Sequence, residues 1–466
     1  MKKKSAFHVV LYIVRVQKIR YTSNCIGRFF IGGKRMNRSD MLYDQFLSIL
    51  KAELIPAMGC TEPIAIAYAA AKARAVLGTV PESCKVDASG NIIKNVKSVV
   101  VPHTGGMKGI ETASAAGIVA GDEDAQLEVL SHVTPEQQDA LQEYARTHKI
   151  EVIPAHNGKV FYIGIHVKAG EDTASVIIED YHTNITRIEK NGVCIFEKKG
   201  ETKTAAVKEE GPDRSLLTVE RIIDFADSVD IADVEEVIGR QINYNTAISE
   251  EGLRGNWGAE IGKTLLKMRG SDIKTRVRAA AAAGSDARMS GCELPVVIVS
   301  GSGNQGMTAS LPVIEYAKEI GASKEQLYRA LVVSDLITIH QKSSIGRLSA
   351  FCGAVSAGCG AATGIAYLDG HRYEVIAHTI VNTLAIISGM VCDGAKASCA
   401  AKIAMAVEAG LMGYEMYLND KQEFVDGEGI VIKGVDNTIR SVGRMAREGM
   451  RETDKEILDI MTGICD

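Results

Sequence analysis

The sequence predicts an α+β protein, with an N-terminal mixed region containing an antiparallel strand-rich segment at about 85–200 and a mainly helical C-terminal half. Three observations carry that expectation. Apolar residues alternate through Phe161, Ile163, Ile165 and Val167, the period of a half-buried strand, and short runs follow at Ala174 to Tyr181 and Val193 to Glu197. Beyond Ser285 the chain is dominated by Ala, Gly, Ile, Val and Ser, with small residues spaced so that helices can approach closely. At 466 residues, 46% hydrophobic and 24% charged, the chain can bury a sizeable core, which argues against disorder, collagen and coiled coil.

The elements follow in order. Residues 1–40 hold ten Lys or Arg against Asp40, so with a total of −5 the remaining 426 residues carry −14. A secretory signal would fit Lys2 to Lys4 followed by Phe7 to Val14, but Arg15 ends the apolar run and no small-residue cleavage pattern follows. The expectation is a basic extension ahead of a mis-assigned start, because Met36 and Met41 both directly precede a well-patterned helix, Leu42 to Leu54. Pro56 to Gly59 breaks that helix. Thr61, Glu62 and Pro63 then spell a helix N-terminus, and an Ala-rich stretch runs to Leu77. In the strand-rich segment Val99 to Val101 reads as a short strand, and one helix, Pro135 to His148 capped by Thr134, interrupts it. Thr202 to Arg214 is charged and turn-rich and reads as a linker or exposed loop, and helical pattern resumes at Leu217. The expected organisation is therefore 1–40, an α+β region at 41–284, and a helical region at 285–466. The most apolar stretch, Val375 to Val391, is interrupted by His378, Asn382 and Thr383 and suits a buried helix rather than a membrane span.

Several function classes fall away. A net charge of −5 and a pI near 6.1 do not suit a nucleic-acid footprint. Ten cysteines are too dilute for a disulfide scaffold and read as reduced thiols of a cytoplasmic protein. The expected partner is a small molecule, with no nucleic acid and no membrane. A homo-oligomer is the base-rate expectation.

Four segments can carry chemistry. Cys392-Asp393-Gly394-Ala395-Lys396-Ala397-Ser398-Cys399 lies about forty residues after Cys352 and Cys359. On a regular helix a spacing of seven sets two thiols about 10 Å apart along the axis, too far for one compact centre. Asp393-Gly394 supplies a turn that bends the chain, which makes Cys392 and Cys399 the ligand pair; the competing reading is that all four are small buried hydrophobes. Structural zinc favours ligands two to four residues apart, whereas iron–sulfur clusters tolerate irregular spacing. Ser300-Gly301-Ser302-Gly303-Asn304-Gln305-Gly306 follows an apolar run and opens a helical pattern, so its N–H groups and the Ser300, Ser302 and Asn304 side chains suit a carboxylate or phosphate. It spells G-x-G-x-x-G but lacks the second strand ending in an acid, so a small anion ranks above a dinucleotide, with an ordinary turn as the alternative. Gly59-Cys60-Thr61-Glu62-Pro63 places a thiol at a helix start, where the dipole would lower its pKa and make a reactive thiolate; the competing reading is a purely structural turn. Pro102-His103-Thr104-Gly105-Gly106 could form a pocket wall through His103 and Thr104; a structural turn is the alternative. His340 reads as a satisfied core histidine, while position alone does not rank His103, His156 and His182. Lys108 has no motif that would mark a pyridoxal-phosphate lysine.

Taken together, Ala52 to Pro63, Ser285-Asp286-Ala287-Arg288-Met289, Ser300 to Gly306, and Gly389 to Lys396 with Cys399 resemble the L-cysteine desulfidase family, which is related to the alpha chain of iron-sulfur L-serine dehydratase. The resemblance spans about Met41 to the C-terminus. It implies an oxygen-sensitive 4Fe-4S cluster on Cys352, Cys392 and Cys399, with Cys359 left to packing. It also implies an active-site role for Cys60, as general base or as a ligand displaced by substrate, and tail ligation by Cys465 as in some dehydratases. The dehydratases space their last two ligand cysteines more widely than the seven here, so that carry-over is looser. The expected reaction is removal of sulfide from L-cysteine to give pyruvate and ammonia, with the substrate carboxylate on the Ser300 to Gly306 loop. The alternatives are an L-serine dehydratase-type ammonia-lyase, a non-catalytic amino-acid-binding protein, and a zinc or pyridoxal-phosphate lyase.

Overall fold

A computed structural model describes residues 36–198, 211–346 and 348–463. Most of the basic extension, most of the linker read at Thr202 to Arg214, and Cys465 lie outside the described residues.

Helix α1 (Met41–Glu53) leads through β1 (Pro56–Met58) into α2 (Thr61–Leu77), which starts where Thr61-Glu62-Pro63 predicts. The strand-rich region comprises β2 (Ser83–Ala88), α3 (Gly90–Val96), α4 (Gly109–Ala120), α5 (Pro135–Thr147), β3 (Lys149–Pro154), β4 (Tyr162–Ala169), β5 (Asp172–Glu179), β6 (Ile185–Lys190) and β7 (Val193–Glu197). Its six strands form one sheet in the order β3-β2-β4-β5-β6-β7. The pairing is antiparallel except between β2 and β3, which run parallel. The strand-rich segment is thus antiparallel but for one parallel pair, whose cause is topological. Three helices rather than one separate β2 from β3, long enough for the crossover a parallel pair needs. The Val99 to Val101 run is not a strand; Val100 makes a single bridge to Lys108. Val86, Ile165 and Val176 stand in register on one face, all fully buried, and that face packs on α2.

The helical half contains α6 (Val219–Ser228), α7 (Ile231–Arg254), α8 (Ile261–Arg269), α9 (Ile273–Met289), β8 (Pro295–Val297), α10 (Gly303–Ile320), α11 (Lys324–Ile345), α12 (Gly353–Leu368), α13 (Tyr373–Ile387), α14 (Cys399–Leu418), α15 (Val435–Arg444) and α16 (Arg451–Thr462). Helices α11 and α12 are buried on nearly every side, which suits their small and apolar composition. Residue 284 lies inside α9, and residues from Met36 onward form one compact unit. Among the described residues no helix is long and apolar enough to cross a membrane.

The connection that positions the site is small. Strand β1 pairs antiparallel with β8, Pro56 opposite Val297 and Met58 opposite Pro295. It clamps the turn before α2 against the loop before α10.

Candidate functional site

The turn at Gly59-Cys60 is held to the Ser300 loop by three further links. Arg288 Nε donates to the Gly59 carbonyl at 2.9 Å, Thr61 Oγ1 donates to the Gly301 carbonyl at 3.0 Å, and the Ile298 N–H donates to the Ile55 carbonyl at 2.9 Å. A second antiparallel bridge, Phe351 with Val391, aligns the other cysteine segments. Around it the Cys352 N–H donates to the Met390 carbonyl at 3.0 Å and the Cys392 N–H to the Ala350 carbonyl at 2.6 Å, so the two cysteines lie on adjacent strands of chain. The turn at Asp393-Gly394 then brings Cys399 round to the first residue of α14. Gly394 has φ +91°, and a Cβ there would stand 2.3 Å from the Lys94 carbonyl oxygen. Lys402 and Lys396 both bond Asp393, and although burial raises that carboxyl the two lysines outweigh it and bring its pKa down to about 2.

The outcome is one cavity of about 110 Å³ whose lining includes Cys60, Cys352, Cys392 and Cys399 together with Ser300, Ser302 and Asn304. Four helix N-termini meet at it, because the residues capping or opening α2 (Cys60), α10 (Ser302), α12 (Cys352) and α14 (Cys399) are all in its wall. Each helix start carries about half a positive charge and unpaired N–H groups, so the cavity favours negative charge. A cleft of about 1200 Å³ adjoins it and shares His182, Gly301, Leu348 and Ser349.

The thiols do not behave as the helix dipole alone predicts. Burial pushes Cys60 up to about 12 even though Arg288 pulls it down, so desolvation overrides the dipole and the expected ready thiolate is not formed in the bare cavity. Burial also raises Cys352 to about 12, with Cys392 adding to the effect, and raises Cys399. A metal bound here would displace thiol protons. Among the described residues no three His, Cys, Asp or Glu side chains converge as they would on a single metal ion. Cys352, Cys392 and Cys399 are nonetheless close enough to feel one another's charge.

Two predicted residues stand elsewhere. His103 and Thr104 are not in the cavity wall: His103 Nδ1 lies 3.1 Å from Glu293 Oε1, and Thr104 Oγ1 donates to the Val101 carbonyl at 2.7 Å. His182, which sequence position could not rank, lines the cavity instead. Cys359 is fully buried inside α12, and His340 is satisfied by Asp436 at 2.7 Å. Loop residues Ser302 and Asn304 are partly consumed, Ser302 by capping α10 and Asn304 Oδ1 by accepting from Arg288 at 3.2 Å. Sequence reasoning gave no role to Arg288, Glu62, Asn95, Lys342 or Lys402, all of which line the cavity. Arg288 and Glu62 lie inside quoted motifs, so the signal was present, but no spacing rule marks a single charged residue in an Ala-rich helix.

The serine dehydratase alpha chain family matches residues 124–459, and the chain belongs to that family, within its L-cysteine desulfidase-related group. The family places it among dehydratase-type lyases. A UPF0597 protein of Desulfitobacterium hafniense (strain Y51) is 57% identical over 430 residues, covering 92% of this chain and 99% of that protein. UPF0597 proteins of Lachnoclostridium phytofermentans and Treponema denticola are 51% and 45% identical, each over 90% of this chain and over 100% and 98% of their own lengths.

Proposed function

We propose that the protein is an iron–sulfur-dependent lyase that removes sulfide from L-cysteine to give pyruvate and ammonia. The observation that carries the reading is the meeting of three thiols, Cys352, Cys392 and Cys399, with four helix N-termini at one cavity. Those thiols fit a 4Fe-4S cluster by their chemistry: soft thiolates are its ligands, all three line one cavity within reach of one another's charge, and the negative charge of such a cluster would match the helix ends and Lys402. When bound on three protein thiolates, such a cluster leaves one iron open and supplies Lewis acidity to a leaving sulfur.

The chain's own residues do the rest. The Ser300 to Asn304 loop and the turn carrying Cys60 and Glu62 both contribute wall against which the substrate would sit. Cys60 can accept the α-proton at Sγ only once its thiol has lost its own proton, a step that the Arg288 cation favours and burial opposes. Breaking the α C–H and β C–S bonds leaves aminoacrylate, whose imine tautomer takes up water to give pyruvate and ammonia. L-Serine is the second reading, favoured by the family match, because the same apparatus would expel hydroxide.

The test is anaerobic purification with iron and sulfide analysis, followed by pyruvate and sulfide assays on L-cysteine beside L-serine, for the wild type and Cys392→Ala. About four irons per chain and cysteine-dependent sulfide release, both lost in the variant, are the expected results. Iron-free protein with no turnover after cluster reconstitution would leave a binding protein instead.

A further inference from the structure

We infer that Arg288 and Glu62 form a charge pair that reads the two ends of an α-amino acid zwitterion, Arg288 taking the carboxylate and Glu62 the ammonium. The inference rests on the amino-acid lyase reading above and names the residues that select its substrate class.

Both side chains line the cavity, and both are nearly buried, Arg288 at 2% exposure and Glu62 at 9%. Charges so buried are ordinarily paired. These two have only neutral partners. Arg288 donates to the Gly59 carbonyl and to Asn304 Oδ1; Glu62 accepts from Asn95 Nδ2 and Thr61 Oγ1, each at 3.1 Å. Among the described residues neither makes an ion pair. The guanidinium has five N–H groups and spends two on Gly59 and Asn304 and one on the Cys60 sulfur, and each Glu62 oxygen accepts one bond and keeps capacity for another, so both retain directed bonds for a ligand.

Their positions are built rather than incidental. Gly303 has no side chain where a Cβ would stand 2.5 Å from Arg288 Nε, so the glycine loop is shaped to seat the guanidinium. Asn95 and Thr61 hold the carboxylate, and Thr61 is tied in turn to the Gly301 carbonyl. Cys60, raised mainly by burial, also feels both charges, Arg288 drawing its pKa down and Glu62 pushing it up, so the thiol is near each of them. The carboxylate goes to Arg288, with the Ser300 to Asn304 loop orienting the guanidinium rather than binding the anion alone. A ligand with only one charge leaves the other buried group uncompensated, so the pair rejects simple acids and simple amines together.

The test measures binding to cluster-loaded protein by calorimetry with L-alanine, which has no leaving group, and with propanoate and ethylamine, which each keep one charge. Wild type should bind L-alanine roughly 30-fold or more tighter than either fragment, the scale of removing one partner of a buried charge pair. Glu62→Gln should lose that preference over propanoate, binding L-alanine more weakly and propanoate more tightly than wild type does, and Arg288→Lys should weaken L-alanine and propanoate but not ethylamine. Unchanged selectivity in Glu62→Gln would overturn the inference, and this near-isosteric variant decides if Arg288→Lys fails to fold. Should wild type turn over L-cysteine while both variants keep wild-type selectivity, only the charge pair falls. Wild type that neither binds L-alanine nor turns over L-cysteine would fail the lyase reading as well.

Discussion

At the scale of single residues, Cys359 and Cys392 separate a thiol packed in the core from one at the cavity wall. Cys359 is fully buried in α12, away from the cavity wall, whereas Cys392 lines it. Cys359→Ala should keep the iron content and lower stability by about 1 kcal/mol, the scale of a small buried truncation, as read by thermal unfolding with iron analysis. Cys392→Ala should lose iron with little loss of packing. Gly394→Ala is the sharper case. A left-handed backbone costs a non-glycine residue roughly 1–2 kcal/mol, and the added methyl also meets the Lys94 carbonyl 2.3 Å away. The Cys392 to Cys399 loop must shift to relieve that contact, so iron should be lost although no thiol is touched. These cysteines were legible because Asp393-Gly394 punctuates the chain between them. Arg288 was not, because its surroundings in α9 are a run of alanines whose pattern says only that the helix is buried. His103 and Thr104 show the converse: a polar glycine turn attracts notice, yet Thr104 is spent on the Val101 carbonyl and His103 faces Glu293.

Among the elements, the Thr134 cap is the local signal that located a helix start directly. Thr134 and Gln137 close a capping box at α5, and Ser323 with Gln326 closes another at α11. Thr134→Ala should lower stability by about 1 kcal/mol and leave turnover unchanged, since α5 contributes nothing to the cavity wall; denaturant unfolding beside a pyruvate assay checks both. Helices α3 and α4 escaped the sequence reading for related reasons. Helix α3 is only seven residues long, and α4 is so uniformly buried and small-residued that no apolar face stands out. Missing them hid the parallel pairing of β2 with β3. The three-residue ladder of β1 and β8 is likewise invisible to periodicity, yet it fixes the Cys60 turn against the Ser300 loop.

For the whole molecule, the site exists because distant segments converge, and that convergence is held by a core carrying buried polar groups. Asp335 in α11 is fully buried, and desolvation raises its carboxyl from 3.8 to about 7, although a bond from Gln241 at 2.9 Å pulls the other way. Asp335 Oδ2 and Gln241 Oε1 have no partner in that core. Between those two values the folded chain holds a proton that the unfolded chain has released. The unfolded state therefore binds fewer protons, and stability falls as pH rises through that window. Below it both states are protonated and the effect vanishes; above it both are ionised and the penalty is constant, at most roughly 4 kcal/mol for a shift of about three units. Asp286, raised to about 6 by burial, works in the same direction, so the comparison must be made against a variant. Asp335→Asn keeps the shape and an acceptor for Gln241 but carries no titrating proton. Its melting temperature should decline less than that of wild type between about pH 5 and about pH 8, with the gap opening toward the alkaline end. Parallel declines would mean that Asp335 is ionised in the fold throughout that range, compensated by groups other than Gln241.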